Sequence, residues 1–149
     1  MTVTARFDQV LQFNKSAVER LSELLECECA KSGHRALVHA SIVSRVLIWY
    51  QQAAGWTGGG LGRVTGFRVE GVPVRVGSFG VEDAGIWEGV RDRVVLSELR
   101  RTGELVDKFA GADEEGVVGG LYAQLGGWLK GELERTVRGL KGRLGEETS

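Results

Sequence analysis

Proline and cysteine are nearly absent from this sequence. A single proline among 149 residues is typical of a mostly helical chain, because proline disrupts a helix from within. The two cysteines, Cys27 and Cys29, are too close together to brace a small secreted fold, which favours a reducing compartment. No apolar run approaches the about 20 residues of a membrane span, and the polar N-terminal stretch MTVTARFDQVLQFN is not expected to be a signal peptide. We therefore expect a soluble, intracellular chain.

The sequence also has almost no net charge. At −1 it predicts no overall attraction to nucleic acid, membranes or anionic substrates. The length and the hydrophobic content of 42% suffice for one domain with a buried core. Since no repeat, low-complexity run or linker interrupts the chain, we expect a single helical domain over residues 1–149.

Apolar spacing predicts four main helices. The first covers about residues 15–31, capped by Asn14 or Ser16 and ended by Gly33. The second runs from about His34 to Ala54 and is apolar around most of its circumference, which is typical of a helix at the centre of a bundle.

The third helix is predicted to begin near residues 81–83, where Glu82 and Asp83 suit the positive end of a helix dipole. It continues to residue 111, with Ile86 and Val90 starting its inward stripe. The fourth covers residues 116–145 and ends in a tail that we expect to fray. The 23 glycines of the chain oppose helix formation wherever they fall inside these segments.

Residues 55–80 break the helical period. Their apolar residues alternate on either side of Glu70-Gly71, which predicts either a short β-hairpin turning there or an extended strap across the bundle. The expected fold class is therefore all-α, a bundle of about four main helices with this strap or hairpin between helices 2 and 3.

No arrangement of residues predicts catalysis, a metal or a cofactor. Cys27, Cys29 and His34 resemble zinc ligands, but the cysteines are closer than the usual spacing, and on a helix they point about 200° apart. We interpret them as buried or half-buried thiols at a helix end. His39 does not share a helix face with Ser41 or Ser44, so no nucleophile–base pair is indicated. We expect no enzyme activity.

Positive charge gathers late in the chain. We interpret the positively charged segment, residues 130–143, as a solvated helix face and not as a DNA contact, because no recognition-helix pattern accompanies it. Its five cations oppose two carboxylates; the residues are Lys130, Arg135, Arg138, Lys141 and Arg143 against Glu132 and Glu134.

Three stretches in this order resemble a known family. LLECECAKSGHRALVHASIVSRVLIWYQQAAG resembles the part of the aflatoxin regulatory protein domain in which Leu-Leu and Cys-Pro-Cys precede a long helix ending in Trp-Tyr, although Glu28 stands where the family has proline. VPVRVGSFGVED with RDRVVLSELRR resembles the strap and third helix, and LYAQLGGWLKGELERTVRGLKGRL the final helix. The resemblance covers roughly residues 7–145.

The resemblance implies a role in gene regulation. The family occurs in fungal transcription factors that control secondary-metabolite clusters, in which an N-terminal zinc cluster of six cysteines reads DNA. With two cysteines, this chain offers no positions for those DNA-binding or metal-binding residues. The resemblance thus implies a nuclear regulatory or interaction domain that has a protein partner or self-associates and touches DNA only indirectly. A ligand-sensing domain with a small-molecule effector and a stand-alone dimerisation module are the alternatives.

Tryptophan and arginine are the residue types that most often anchor protein interfaces. The candidate interaction surface therefore consists of Trp56, Trp87, Trp128, Arg135 and Arg138.

Overall fold

The computed structural model describes residues 3–27, 33–55, 66–112 and 120–148. Four long helices dominate it: α1 (Phe7–Leu25), α2 (Gly33–Ala53), α3 (Ala84–Ala110) and α4 (Leu121–Thr148). Four short strands accompany them, namely β1 (Val3–Arg6), β2 (Phe67–Glu70), β3 (Val74–Val76) and β4 (Phe79–Val81). The predicted all-α bundle with a small hairpin between helices 2 and 3 is confirmed. None of the described helices is both long and apolar enough to cross a bilayer.

Helix α2 lies at the centre of the bundle, as its apolar circumference predicts. It contacts the other three helices and also β2. Its stripe of Ala36, Val43, Leu47 and Tyr50 is completely buried. Burial of each large apolar side chain contributes about 1.5–3 kcal/mol relative to exposure, so this stripe is a major source of the stability of the fold.

Helix α1 begins at Phe7, two turns before the predicted start near residue 15. The prediction failed because Asn14, taken there as a cap, lies inside the helix on its buried face. Its Nδ2 donates a hydrogen bond to the Val46 carbonyl oxygen of α2, at 3.1 Å. At the true start, the backbone N–H of Arg6 donates to Oε1 of Gln9 at 3.1 Å. The helix also ends before Gly33, at the cap residue Glu26.

The strands pair differently from the predicted hairpin. β3 and β4 do form an antiparallel hairpin, but its register places Val76 opposite Phe79, so the chain turns at Gly77-Ser78 and not at Glu70-Gly71. Gly77 has φ +61°, a value that glycine adopts without strain at the first position of such turns. β2 instead pairs in parallel with β1, from Val3 opposite Phe67 to Arg6 opposite Glu70.

Helix α3 starts as predicted but buries a different face in its first turns. The Asp83 side chain accepts a hydrogen bond from the Ile86 N–H at 3.1 Å, which caps the helix. The stripe predicted through Ile86 and Val90 is exposed, with Ile86 at 55%. Asp92 points inward instead and is 2% exposed. Apolar spacing predicted the wrong buried face for these turns, because the residue that lies on the buried face, Asp92, is charged.

Asp92 is held by two arginines. Its Oδ1 lies 3.1 Å from Arg91 Nε and 3.3 Å from Arg143 Nη2. The same Nη2 donates to the Ala54 carbonyl oxygen, at 2.7 Å. Arg143 therefore joins α4 to α3 and to the residue that follows α2.

Helices α3 and α4 pack closely at the end where α4 begins. The rings of Phe109 and Tyr122 are 4.9 Å apart, and a Cβ on Gly126 would lie 2.5 Å from the Cβ of Ala110. Leu129, Leu133 and Leu140 of α4 are buried, and so are Tyr122 and Thr136. The helix also continues to Thr148 instead of fraying near residue 145.

Two adjacent glycines of α4 should respond oppositely to alanine. Gly127→Ala should raise the free energy of unfolding by about 0.5–1 kcal/mol, because alanine favours helix and nothing lies within 4 Å of the new Cβ. Gly126→Ala should lower it by about 1–3 kcal/mol, because its Cβ would also lie 2.8 Å from the Cα of Ala110. Urea denaturation measures both; equal effects would contradict the close packing of α3 and α4.

Arg143→Met should lower the free energy of unfolding by about 2–3 kcal/mol, since it removes one of two cations from a buried carboxylate and the donor to the Ala54 carbonyl. Lys130→Met on the same helix is the matched control. It removes the pair with Asp107, whose side chains are 53% and 64% exposed, so it should cost less than about 1 kcal/mol. Similar losses in urea denaturation of the two variants would show that the Asp92 contacts are not a special source of stability.

Candidate interaction surfaces

Trp87 contributes mainly to the fold. Its Nε1–H donates to the Val72 carbonyl oxygen at 2.8 Å, and its ring lies 6.3 Å from the ring of Phe7. The Arg91 guanidinium lies over the ring, 5.4 Å from its centre. The half-buried side chain thus fastens the segment between β2 and β3 to the start of α3. Trp56, another predicted residue, falls outside the described residues.

The other three predicted residues, Trp128, Arg135 and Arg138, are all on α4 and exposed. Trp128 is 53% exposed, and Arg135, two turns later, lies on the same side of the helix. Arg135 donates to Oε1 of the buried Glu132 at 3.0 Å. Arg138 also lines a cleft between α3 and α4. Arg138 is three residues from Arg135 and therefore its neighbour on the surface of α4.

An apolar groove opens between β1, α1 and α2. Its cavity of about 420 Å³ is large enough for a drug-sized molecule or for side chains of a partner. At its edge Phe13 is 74% exposed. Ten of the described residues line the groove, and eight of them are apolar: Val3, Ala5, Val10, Phe13, Asn14, Ala17, Ile42, Arg45, Val46 and Trp49.

The apolar groove continues along α2 into a second depression. This depression of about 530 Å³ shares Ile42 and Arg45 with the groove and adds the exposed side chains of Leu37 and Val38. Among the described residues, no carboxylate lines either part, and Arg45 forms no ion pair. An apolar surface with one available cation therefore extends from about His34 to Trp49.

The cleft between α3 and α4 has a different chemistry, and we call it the basic cleft. Its volume is about 380 Å³. Buried or half-buried apolar residues form its floor, and exposed cations dominate its rim. It is lined by Leu99, Arg100, Gly103, Leu133, Glu134, Val137, Arg138 and Lys141.

The cysteine and histidine candidates are placed as follows. Cys27 is exposed after the end of α1 and is disulfide-bonded, which corrects the expectation of a buried or half-buried thiol; Cys29 lies outside the described residues. His34 is exposed, whereas His39 is buried with no hydrogen-bond partner for Nδ1 within the described part of the chain. No three His, Cys, Asp or Glu side chains gather as metal ligands in that part.

Sequence reasoning missed the apolar groove, although one signal was present. Helix α2 carries more apolar surface than its neighbours cover, so Leu37 and Val38 remain exposed. Trp49 is half-buried at the wall of the groove, while its neighbour Tyr50 is completely buried. Periodicity alone does not separate these environments.

The chain is similar to known fungal regulators. Residues 1–65 match the family described as "Aflatoxin regulatory protein", which confirms the resemblance stated from the sequence. Within the part of the chain that the structure describes, the matched segment contributes all the side chains that line the apolar groove and its continuation. No solved structure matches the chain.

Three relatives illustrate the similarity. The chain is 32% identical to the Hps1-dma1 cluster transcription factor tfc7 of Dothistroma septosporum, over 92% of this chain and 39% of that protein. It is 32% identical to the fusarubin cluster-specific transcription factor fsr6 of Gibberella fujikuroi, over 76% of this chain and 33% of the relative. It is 31% identical to an aflatoxin biosynthesis regulatory protein of Aspergillus flavus, over 73% of this chain and 29% of that protein. The chain thus spans well under half the length of these relatives.

Acidification should destabilise the fold through His39. Burial lowers the pKa of His39 below its ordinary value of 6.5, and the nearby charge of Arg35 lowers it further. The unfolded chain therefore binds this proton at a higher pH than the folded chain does, so stability is lost as the pH falls below about 6.5. Urea denaturation at pH 7.5 and 5.5 should show a smaller loss in His39→Leu than in wild type. The exposed-site control His34→Leu should keep the wild-type loss, and an unchanged loss in His39→Leu would contradict the assignment.

Proposed function

Because residues 1–65 match the aflatoxin regulatory protein family, we propose that this chain is a regulatory interaction domain of a fungal transcription regulator of secondary-metabolite genes. The similarity to tfc7 over 92% of the chain is the observation that carries the proposal. Residues 1–149 act as one regulatory unit in the nucleus, without enzymatic activity.

This role is exercised through protein contacts. DNA recognition of the zinc-cluster type requires six cysteines, and these 149 residues contain two. The near-zero net charge gives no general attraction to DNA phosphates. Influence on transcription therefore passes through a surface that binds a co-regulator or another part of the transcription machinery.

The apolar groove is the surface we assign to this contact. It lies in the part of the chain that matches the family and, with its continuation, follows α2 from about His34 to Trp49. Four helical turns of this kind extend about 22 Å. That elongated shape fits the apolar face of a helix from a partner protein, which docks through residues spaced three and four apart.

Arg45 defines the polar contact of the bound helix. It lines both parts of the groove, so a carboxylate on the partner would pair with it at the edge of an apolar interface. Such a pair fixes orientation and register more than it adds affinity.

Phe13→Ser tests this function in the living fungus. We expect it to shift transcripts of one secondary-metabolite gene cluster in the same direction as deletion of the protein, since it removes the exposed edge of the apolar groove. Folding stability should change by less than about 1 kcal/mol, because Phe13 is 74% exposed. RNA sequencing at equal protein abundance measures the effect.

Phe79→Ser is the matched control. Phe79 is 70% exposed on β4 and does not line the groove, so its substitution should leave those transcripts at the wild-type level. Unchanged transcripts of all such clusters after deletion would refute the function. A rise in Tm of the purified chain with one pathway metabolite, lost in Phe13→Ser, would instead assign the groove to a small molecule.

A further inference from the structure

We propose that the basic cleft between α3 and α4 binds an acidic amphipathic segment of a partner protein. This inference goes beyond the proposed function, because it concerns a second surface that shares no residue with the apolar groove. It depends on three features of the cleft, namely its charge, its floor and the identity of its rim residues.

Three cations meet at the rim of the basic cleft. Arg100 stands on α3, and Arg138 and Lys141 stand one turn apart on α4. None of the three forms an ion pair with the described residues, and Glu134 is the one carboxylate that lines the cleft. Their mutual repulsion is relieved when an anionic partner binds, so the charge is complementary to an acidic group.

Several other cations on or beside these two helices have carboxylate partners. Lys108 lies 2.6 Å from Glu26, and Lys130 lies 3.2 Å from Asp107. Arg135 pairs with Glu132. Among the described residues these cations have carboxylate partners, whereas the three that line the cleft together have none.

The floor of the cleft is apolar and narrow. Leu99 and Leu133 are buried beneath the cations, and Val137 is half-buried beside them. The absence of a side chain at Gly103 allows the close approach, because a Cβ there would lie 3.3 Å from Cδ2 of Leu133. A partner that covers this floor must bring apolar groups together with its negative charge.

This combination favours a protein segment over nucleic acid. A phosphate backbone satisfies the cations but leaves the floor uncovered, whereas an amphipathic helix places leucine-like side chains on the floor and carboxylates at the rim. A second copy of the chain docking through the same patch would place cations against cations, which disfavours a two-fold dimer here.

The test measures binding of synthetic probes to the purified full chain. The main probe is a fluorescein-labelled peptide of about 18 residues, or five helical turns, with leucine along one face and glutamate elsewhere. One comparison peptide replaces glutamate by lysine, and another scrambles the order to abolish the apolar face. A labelled DNA duplex is the nucleic-acid probe. Fluorescence anisotropy is recorded near physiological salt, about 0.15 M.

We expect the acidic amphipathic peptide to bind at least about tenfold more tightly than either comparison peptide. The double variant Arg138→Glu with Lys141→Glu should weaken that binding by at least about tenfold, which corresponds to about 1.4 kcal/mol. Val137→Ser, which removes part of the floor without changing charge, should weaken it several-fold.

Two controls separate the cleft from bulk charge and from the groove. Lys15→Glu with Arg20→Glu makes the same change of net charge on α1, which contributes no residue to the cleft, and should leave binding unchanged. Phe13→Ser should also leave it unchanged, so failure of the proposed function and failure of this inference are distinguishable. If the glutamate double variant loses its helical circular dichroism, Arg138→Gln with Lys141→Gln replaces it.

Three results would overturn the inference. The first is that the acidic peptide fails to bind. The second is that the α1 control variant weakens binding as much as the cleft variant does. In the third, the DNA duplex binds more tightly than the peptide, competes with it and is insensitive to Val137→Ser, which would make the cleft a phosphate site.

Discussion

The carboxylate of Asp92 sets the arrangement on which the bundle depends. A buried charge is costly unless cations and hydrogen bonds surround it, and here Arg91 and Arg143 supply them from α3 and α4. Because Arg143 also binds the carbonyl of Ala54, one guanidinium fixes α4 relative to both α2 and α3. Helix α3 can rotate only as far as Asp92 remains within reach of these groups.

That rotation decides which residues of α3 and α4 meet. Asp92, Leu96, Leu99 and Gly103 follow one another at helical spacing, so turning Asp92 inward brings Gly103 against Leu133 of α4. The same rotation leaves Ile86 exposed on the other side. The floor of the basic cleft is therefore a consequence of a charge buried three turns away.

Sequence reasoning located regular elements well and misread the positions where polar residues are buried. The second and third helices follow from local apolar spacing, and the start of the third follows from the acidic residues at its dipole end. Asn14 and Asp92 interrupted the apolar stripes, and each has a partner on another helix, Val46 and Arg143 respectively, that no local pattern identifies. For the candidate surfaces, the resemblance identified the family. The cations noted near the C-terminal end of the sequence also included Arg138, which lines the basic cleft. The apolar groove did not emerge, because Phe13 and Leu37 have the same spacing as core residues and differ only in what covers them.

The parallel pairing of β1 with β2 has a consequence for the order of folding. It joins Val3 to Phe67 across the whole of α1 and α2. Bringing such distant strands together costs chain entropy, so we expect them to pair only after the two helices have packed against each other. A sheet of two strands is also barely stable alone. The wall of the apolar groove formed by Val3 and Ala5 is therefore the last part of it to assemble and the first to open, and local unfolding of that strand widens the groove without disturbing the core.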